Sequence, residues 1–304
     1  MSLTGNSYFG NKIQKLDVQS GIIGKNAFAS KLTSDTKIQQ LTLGEGVTTI
    51  GENAFAFNGI TNLNLPNSLI EIGTYAFGLN TINKLFIPKN VKSIGDSAFS
   101  QNQIAELTFD ENSVLTSIGT RAFQHNQISN HMIMQESLTT IQNYVFYDNQ
   151  ISTIELSEVT TSINAYAFST NLIAGKISFP DTVTTLAGFD YNNITEVVFP
   201  PNLKSIAGLA FSGNDLSGTL VIPEGVTQVW AYAFSNNAFT EVTLPSTITL
   251  IGLDAFSSQA SSSGGSLRKI NINMTQSEFD ANVTLQGTNW YDTTLKPTIT
   301  YKTS

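Results

Sequence analysis

One phenylalanine recurs through almost the whole chain, at Phe28, Phe55, Phe77, Phe99, Phe123, Phe146, Phe168, Phe189, Phe211, Phe234 and Phe256. The gaps are 27, 22, 22, 24, 23, 22, 21, 22, 23 and 22, so ten intervals span 228 of the 304 residues, about 23 each. A fixed period of that size marks a repeat architecture, in which each unit buries its apolar side against the next. The period overrides the two-domain expectation that length alone would give. It also moves the search for function from a pocket to an extended surface.

The clearest unit runs from Leu63 to Lys84, L-N-L-P-N-S-L-I-E-I-G-T-Y-A-F-G-L-N-T-I-N-K, and the next begins at Leu85 with L-F-I-P-K-N-V-K-S-I-G-D-S-A-F-S-Q-N-Q-I-A-E. The segment L-x-L-P alternates apolar and polar, the period of a half-buried strand. Pro66, Pro88, Pro180, Pro200, Pro223 and Pro245 close these strands, where the missing N–H costs no ladder bond. Repeated once per unit, the strands predict a long parallel sheet. A second short extended piece, V-x-x-I-G, ends at Gly24, Gly51, Gly73, Gly95, Gly119 or Gly252, a corner expected to favour glycine. The few residues around each Ala-Phe predict a short helical or 3₁₀ turn.

The phenylalanines are expected to point inward and stack, each contributing about 1.5–3 kcal/mol by burial. Alanine precedes the Phe in nine of eleven units, which implies little space beside it. Three residues after the Phe stands asparagine, at Asn58, Asn80, Asn102, Asn126, Asn149, Asn171, Asn192, Asn214 and Asn237. An amide offers donors and an acceptor to backbone groups that a bend leaves unpaired. The column reads as a buried structural ladder, with a polar ligand-binding row as the alternative.

The signature I-G-x-x-A-F-x-x-N followed by I-x-x-L-x-L-P resembles the BspA-like (bacterial surface protein A type) leucine-rich repeats, over about residues 13 to 272. In that family the Asn position is often Cys or Asn. The resemblance implies a right-handed curved solenoid of about 11 units, mostly β, with a parallel sheet on the concave face and short turns or 3₁₀ pieces elsewhere. It further implies a bacterial cell-surface or secreted protein concerned with adhesion to host proteins or other cells, and it brings no catalytic residues.

Departures from the pattern are local. The unit Val183 to Asn192 lacks two residues before its Phe and has Gly188 in the Ala column, which predicts an irregularity there. Trp230 occupies the Gly column and Val145 the Ala column. The first gap leaves an extra loop near Ala29 to Thr36, and Tyr8 to Gly21 looks like a degenerate first repeat. A Ser- and Gly-rich loop, Ser257 to Ser266, precedes a last strand at Leu267 to Ile272. The domain reading is therefore a solenoid over 1–272 and a capping segment over 273–304, which carries Phe279, Trp290 and Tyr291.

Aligning the strands names two solvent-facing columns, assuming one inserted residue in the strands at Met132, Ile177 and Leu220. The first reads Lys15, Gln40, Asn62, Lys84, Glu106, His131, Thr153, Lys176, Glu196, Thr219, Glu241, Lys269. The second reads Asp17, Thr42, Asn64, Phe86, Thr108, Ile133, Glu155, Ser178, Val198, Val221, Thr243, Asn271. Phe86, Ile133, Val198 and Val221 are apolar where solvent is expected, and so are candidate contact anchors. The plain alternative is that scattered exposed apolar residues are common and β-branched ones suit strands. Glu106, Glu155, Glu196 and Glu241 would make parts of the face acidic, although interleaved Lys84 and Lys176 favour a mixed, solvated surface.

Chemistry is sparse. The chain has no cysteine, 12% charged residues against the usual quarter, and a net charge of −8. Disulfides and cysteine-held metals are excluded, and an acidic chain without a Lys/Arg cluster is a poor nucleic-acid binder. The only histidines, His125 and His131, lack a metal-ligand spacing, and no phosphate-binding or nucleophile-elbow motif occurs. Adjacent Asp110 and Glu111 point opposite ways in an extended chain. N-x-[ST] occurs at Asn193, Asn273 and Asn282, expected unmodified in a bacterial protein. No apolar run spans a membrane, and Met1-Ser2-Leu3 leads straight into polar sequence, which reads as an artificial start to a chain whose native ends lie elsewhere. No cofactor and no metal are expected. The leading expectation is a monomeric, non-catalytic surface or secreted protein that binds an extracellular protein or glycan. A rigid spacer is the first alternative and an enzyme the second.

Overall fold

The computed structural model describes residues 13–30, 37–259, 266–287 and 289–303. The extra loop expected at Ala29 to Thr36, the Ser/Gly loop at Ser257 to Ser266 and the start of the degenerate first repeat fall largely outside the described residues. The chain forms two compact units, residues 1–157 and 158–304. Each is a parallel β-solenoid.

In the first unit, one sheet is built from the L-x-L strands. Lys84–Ile87 alternates exposed and buried, so Leu85 and Ile87 enter the core while Lys84 and Phe86 face solvent. It pairs in parallel with Glu106–Phe109, in the register Lys84↔Glu106, Leu85↔Leu107, Phe86↔Thr108 and Ile87↔Phe109. Pro88 ends the strand and accepts the Val91 N–H at 3.2 Å, turning the chain toward the second sheet. There the short strands Glu71–Ile72, Ser93–Ile94 and Ser117–Ile118 stack in register, with each isoleucine buried.

The corner around the phenylalanine is a pair of turns, not the helical or 3₁₀ piece expected. Ala98 N–H donates to Gly95 O at 3.2 Å, and Ser100 N–H donates to Ser97 O at 3.0 Å. Ser97 and Gln101 both adopt left-handed backbone, with φ of 54° and 57°. Two such residues four apart interrupt the run of right-handed dihedrals a helical turn requires. The alternation instead lets Ser97, Phe99 and Gln101 donate along the stack to the carbonyls of Thr120, Ala122 and Gln124, at 2.8, 2.8 and 2.9 Å. The same two positions are left-handed at Asn53 and Phe57, Tyr75 and Leu79, Arg121 and His125, and Tyr144 and Asp148.

The glycine column has a different cause from the one expected. Gly95 does not have positive φ. A Cβ there would lie 2.5 Å from the Thr74 amide nitrogen, so glycine is needed because the preceding turn's backbone passes too close.

The second unit repeats the scheme. Its L-x-L strands form two separate ladders, Ala174–Ser178 paired with Asn193–Val198, and Ser217–Val221 paired with Ala238–Leu244 and then Lys269–Ile272. Opposite Gly175/Lys176 and Gly218/Thr219 the ladder skips Thr195 and Thr240 of the partner strands, which gives the register Lys176↔Glu196 and Thr219↔Glu241. The second sheet runs through Ser162–Ile163, Thr185–Leu186, Ser205–Ile206, Gln228–Val229, Leu250–Ile251 and Thr284–Leu285. In the short unit, Gly188 takes positive φ (79°), and its carbonyl still accepts the Phe168 N–H at 2.8 Å. The missing two residues are thus absorbed at the corner, and the ladder continues.

Beyond Ile272 the sequence motif ends, but both sheets gain a strand. Thr284–Leu285 pairs with Leu250–Ile251, and Thr298–Tyr301 pairs with Lys269–Ile272. Between them lies the helix Gln276–Asn282, closed by a capping box of Thr275 and Glu278. Phe279 on this helix packs on Trp290 and Tyr301, with centroids 6.3 and 5.8 Å apart. In backbone register Trp290 stands in the Ala position and Tyr291 opposite Phe256: the Trp290 carbonyl accepts the Phe256 N–H at 3.0 Å, and its ring meets Phe256 edge-on.

Candidate functional site

The scaffold columns show what is unavailable for function. The rings of Phe28, Phe55, Phe77, Phe99, Phe123 and Phe146 stack face to face, with centroids 5.3 to 5.6 Å apart. Phe168, Phe189, Phe211, Phe234 and Phe256 do the same in the second unit, at 5.4 to 5.8 Å. Asn58, Asn80, Asn102, Asn126, Asn149, Asn171, Asn192, Asn214 and Asn237 are all buried. Asn102 Oδ1 accepts the Ile82 N–H at 3.1 Å, and its Nδ2 donates to the carbonyls of Phe77 and Phe99 at 2.9 and 3.1 Å. Buried, and with its amide hydrogens already donated, such a side chain is out of reach of a ligand. Gln259, a residue the sequence reading passed over, continues the column: its amide donates to Phe234 O and accepts from Phe239 N–H, at 2.7 and 3.1 Å. Its place three residues after Phe256 was the signal.

The outward columns stand on the solvent side of the L-x-L sheets, and every exposed glutamate singled out in them has a cationic or ionisable partner one turn away. Lys84 Nζ lies 2.9 Å from Glu106, Lys176 Nζ 2.8 Å from Glu196, and Lys269 Nζ 3.1 Å from Glu241. His131 Nε2 lies 3.5 Å from Glu155, while its Nδ1 meets Thr153 Oγ1 at 2.7 Å. The Asn271 amide and then the Lys269 ammonium hold the Glu241 carboxyl below the usual carboxylate range. These exposed pairs contribute little to stability, and they give the face the mixed charge that the interleaved Lys84 and Lys176 led us to expect. Between them Phe86, Ile133, Val198 and Val221 are 45%, 54%, 40% and 57% exposed.

The long parallel sheet expected from the L-x-L strands is interrupted in each unit, and the break in the first unit opens a cleft. Glu106–Phe109 and Met132–Ile133 belong to separate two-stranded ladders. Between them lies a cleft of about 400 Å³, lined among others by Phe109, Glu111, Asn130, His131, Ile133 and Glu136. The available signal was in the closing residue: Asp110 and Gln135 stand where proline closes six other strands, and the Phe99 to Phe123 gap is 24 residues.

Elsewhere the titratable groups serve local structure. His125 Nδ1 meets Asp148 Oδ2 at 2.6 Å on the outer corner. Asp190 is buried, takes a hydrogen bond from the Ser169 hydroxyl, and has its carboxyl pushed up by that burial. Among the described residues, no three His, Cys, Asp or Glu side chains converge as a metal site requires.

A model of the BspA type leucine-rich repeat region matches residues 2–128, 112–217 and 187–301. Three solved structures are similar in fold. The pneumococcal vaccine antigen PcpA is 16% identical with a TM-score of 0.58, over 93% of this chain and 85% of that one. A leucine-rich cell surface protein from Faecalibacterium prausnitzii is 19% identical with a TM-score of 0.53, over 91% and 92%. A leucine-rich repeat protein from Bacteroides ovatus is 16% identical with a TM-score of 0.52, over 96% and 84%. No curated protein matches the sequence.

Proposed function

The chain belongs to the BspA type leucine-rich repeat family, and from that membership we propose that it is a non-catalytic recognition protein of the bacterial cell surface or its surroundings. It binds an extracellular protein or glycan through the solvent face of the L-x-L sheets, as a monomer. The observation that carries this reading is the division of labour among columns. Phe, Gly and Asn are consumed by stacking, close backbone approach and hydrogen bonding, while Phe86, Ile133, Val198 and Val221 project into solvent where the fold does not need them. Apolar anchors among paired charges are what a recognition face requires: the anchors supply affinity and the charges fix orientation. The surface setting draws support from similar folds described as a vaccine antigen and as a cell surface protein.

A rigid spacer is the second reading. The self-neutralising pairs Lys84–Glu106 and Lys176–Glu196 favour it, because a face whose charges satisfy one another needs no ligand. Binding of the full chain to arrays of extracellular-matrix proteins and glycans separates the two. Recognition predicts saturable binding that Phe86→Ala with Val221→Ser weakens at least tenfold without lowering the melting temperature. Absence of binding across both arrays would leave the spacer. Antibody labelling of intact cells tests the surface location.

A further inference from the structure

The break in the first unit's sheet has a specific chemistry. Asn130 bridges it at Leu107: the Leu107 N–H donates to Asn130 Oδ1 at 3.3 Å, and Asn130 Nδ2 donates to the Leu107 carbonyl at 3.1 Å. A side chain thus replaces strand pairing at that point. Beyond it, alternation of the strand decides where main-chain groups point. Asp110 donates its N–H to Ile87, on one side. Phe109 therefore turns its N–H and C=O to the other side, toward the break. Met132 and Met134 donate to the carbonyls of Thr153 and Glu155, at 3.1 and 2.9 Å. Ile133 therefore turns its N–H and C=O back toward Phe109. Among the described residues no strand pairs with either edge here.

The cleft's charge differs from that of its surroundings. Glu106 and Glu155 on this face lie beside Lys84 and His131. Glu111 and Glu136, on the cleft wall, form no ion pair among the described residues, and Glu111 meets only the Asn112 amide at 3.4 Å. Ile133, 54% exposed, stands beside them.

We infer that this cleft binds an extended peptide segment carrying a basic side chain. The inference rests on the recognition reading above and names its partner chemistry. The peptide's main chain adds to the open edges at Phe109 and Ile133, as in strand addition. Its lysine or arginine meets Glu111 and Glu136 in charge-assisted hydrogen bonds. An alternate side chain rests on Ile133. A peptide fits because successive residues of an extended main chain turn their N–H and C=O to opposite sides, so one residue meets Phe109 and the next meets Ile133. A glycan has no such alternation.

The test is selection of random hexapeptides displayed on phage against the full-length protein, followed by titration of the enriched peptides as synthetic, labelled probes. The expected result is a Lys- or Arg-containing consensus whose affinity falls at least tenfold for Ile133→Arg and for the Glu111→Gln, Glu136→Gln pair. N-methylation of alternate amides in the probe should abolish binding. Circular dichroism melts of both variants, unchanged within a few degrees, show that folding is not the cause. Enrichment of peptides without basic residues, equal binding to the variants, tolerance of N-methylation, or no enrichment would each overturn the cleft assignment. If the arrays find a protein or glycan ligand that Ile133→Arg leaves intact, the recognition reading survives and this cleft falls alone.

Discussion

Asn102 donates its amide to the carbonyl oxygen of Phe77, 2.9 Å away and 25 residues earlier in the chain. The same side chain accepts the Ile82 N–H and donates to Phe99 O, so one residue ties two successive turns together at a bend where no strand ladder runs. Asn102→Ala leaves these buried main-chain groups without a partner. The expected loss is about 3 kcal/mol, or roughly 6–12 °C in melting temperature for a unit of this size. Asn102→Asp should be no better, because a carboxylate would face the two carbonyls that the amide now satisfies. Thermal unfolding of both variants checks this, and an unchanged melting temperature would rule out the bonding role.

Glycine substitutions should show opposite effects at two positions of one turn. At Gly95 a Cβ would sit 2.5 Å from the Thr74 nitrogen, so Gly95→Ala should cost about 1–3 kcal/mol through overpacking. Gln101 is exposed and has φ of 57°. A non-glycine residue there costs about 1–2 kcal/mol, against the roughly 0.5–1 kcal/mol that glycine loses in chain entropy. Gln101→Gly should therefore be as stable as the parent or slightly more so. Denaturant midpoints for the two variants decide the matter.

How far these features can be read from sequence depends on whether their cause is local. The L-x-L-P strand was legible because alternation and the missing proline N–H act within a few residues. The Phe and Asn columns were legible because the repeat prints them many times. The left-handed pair at Ser97 and Gln101 was not, since serine and glutamine carry no preference for that region and only the stack imposes it. The cause of the glycine column was misread for a related reason: the clash at Gly95 comes from Gly73 and Thr74, one turn away. The cleft beside Asn130 left only an indirect trace, Asp110 and Gln135 in the proline position, because a failure of pairing is a property of two strands together and not of either alone.

Asp190 links stability to pH. Its carboxyl is pushed above the ordinary aspartate value by burial, and the Ser169 hydrogen bond opposes that only in part. A group with a raised folded value contributes its stability below the unfolded value, about 3.9, and loses it as pH rises through the folded value. Asp190→Asn removes the titration. The melting-temperature difference, variant minus parent, should therefore grow in the variant's favour between pH 4 and pH 7. A difference independent of pH would mean that the carboxyl titrates normally in the folded protein.

Trp290 tests whether the tail after Ile272 is part of the fold or an appendage to it. It accepts the Phe256 N–H, covers the last ring of the second unit's stack, and joins Phe279 of the short helix to the core. A stack of turns exposes its final apolar layer unless something covers it. Trp290→Ala should cost about 3–5 kcal/mol, and the loss should begin at Phe256 and weaken toward the start of the unit. Hydrogen exchange reads that gradient directly. Protection should fall most at the Leu250–Ile251 and Lys269–Ile272 strands, less at Gln228–Val229, and least at Ser162–Ile163. Uniform loss across the unit would mean that it unfolds as a single block, with Trp290 contributing only through total stability. No loss anywhere would mean that the tail folds beside the solenoid without covering it.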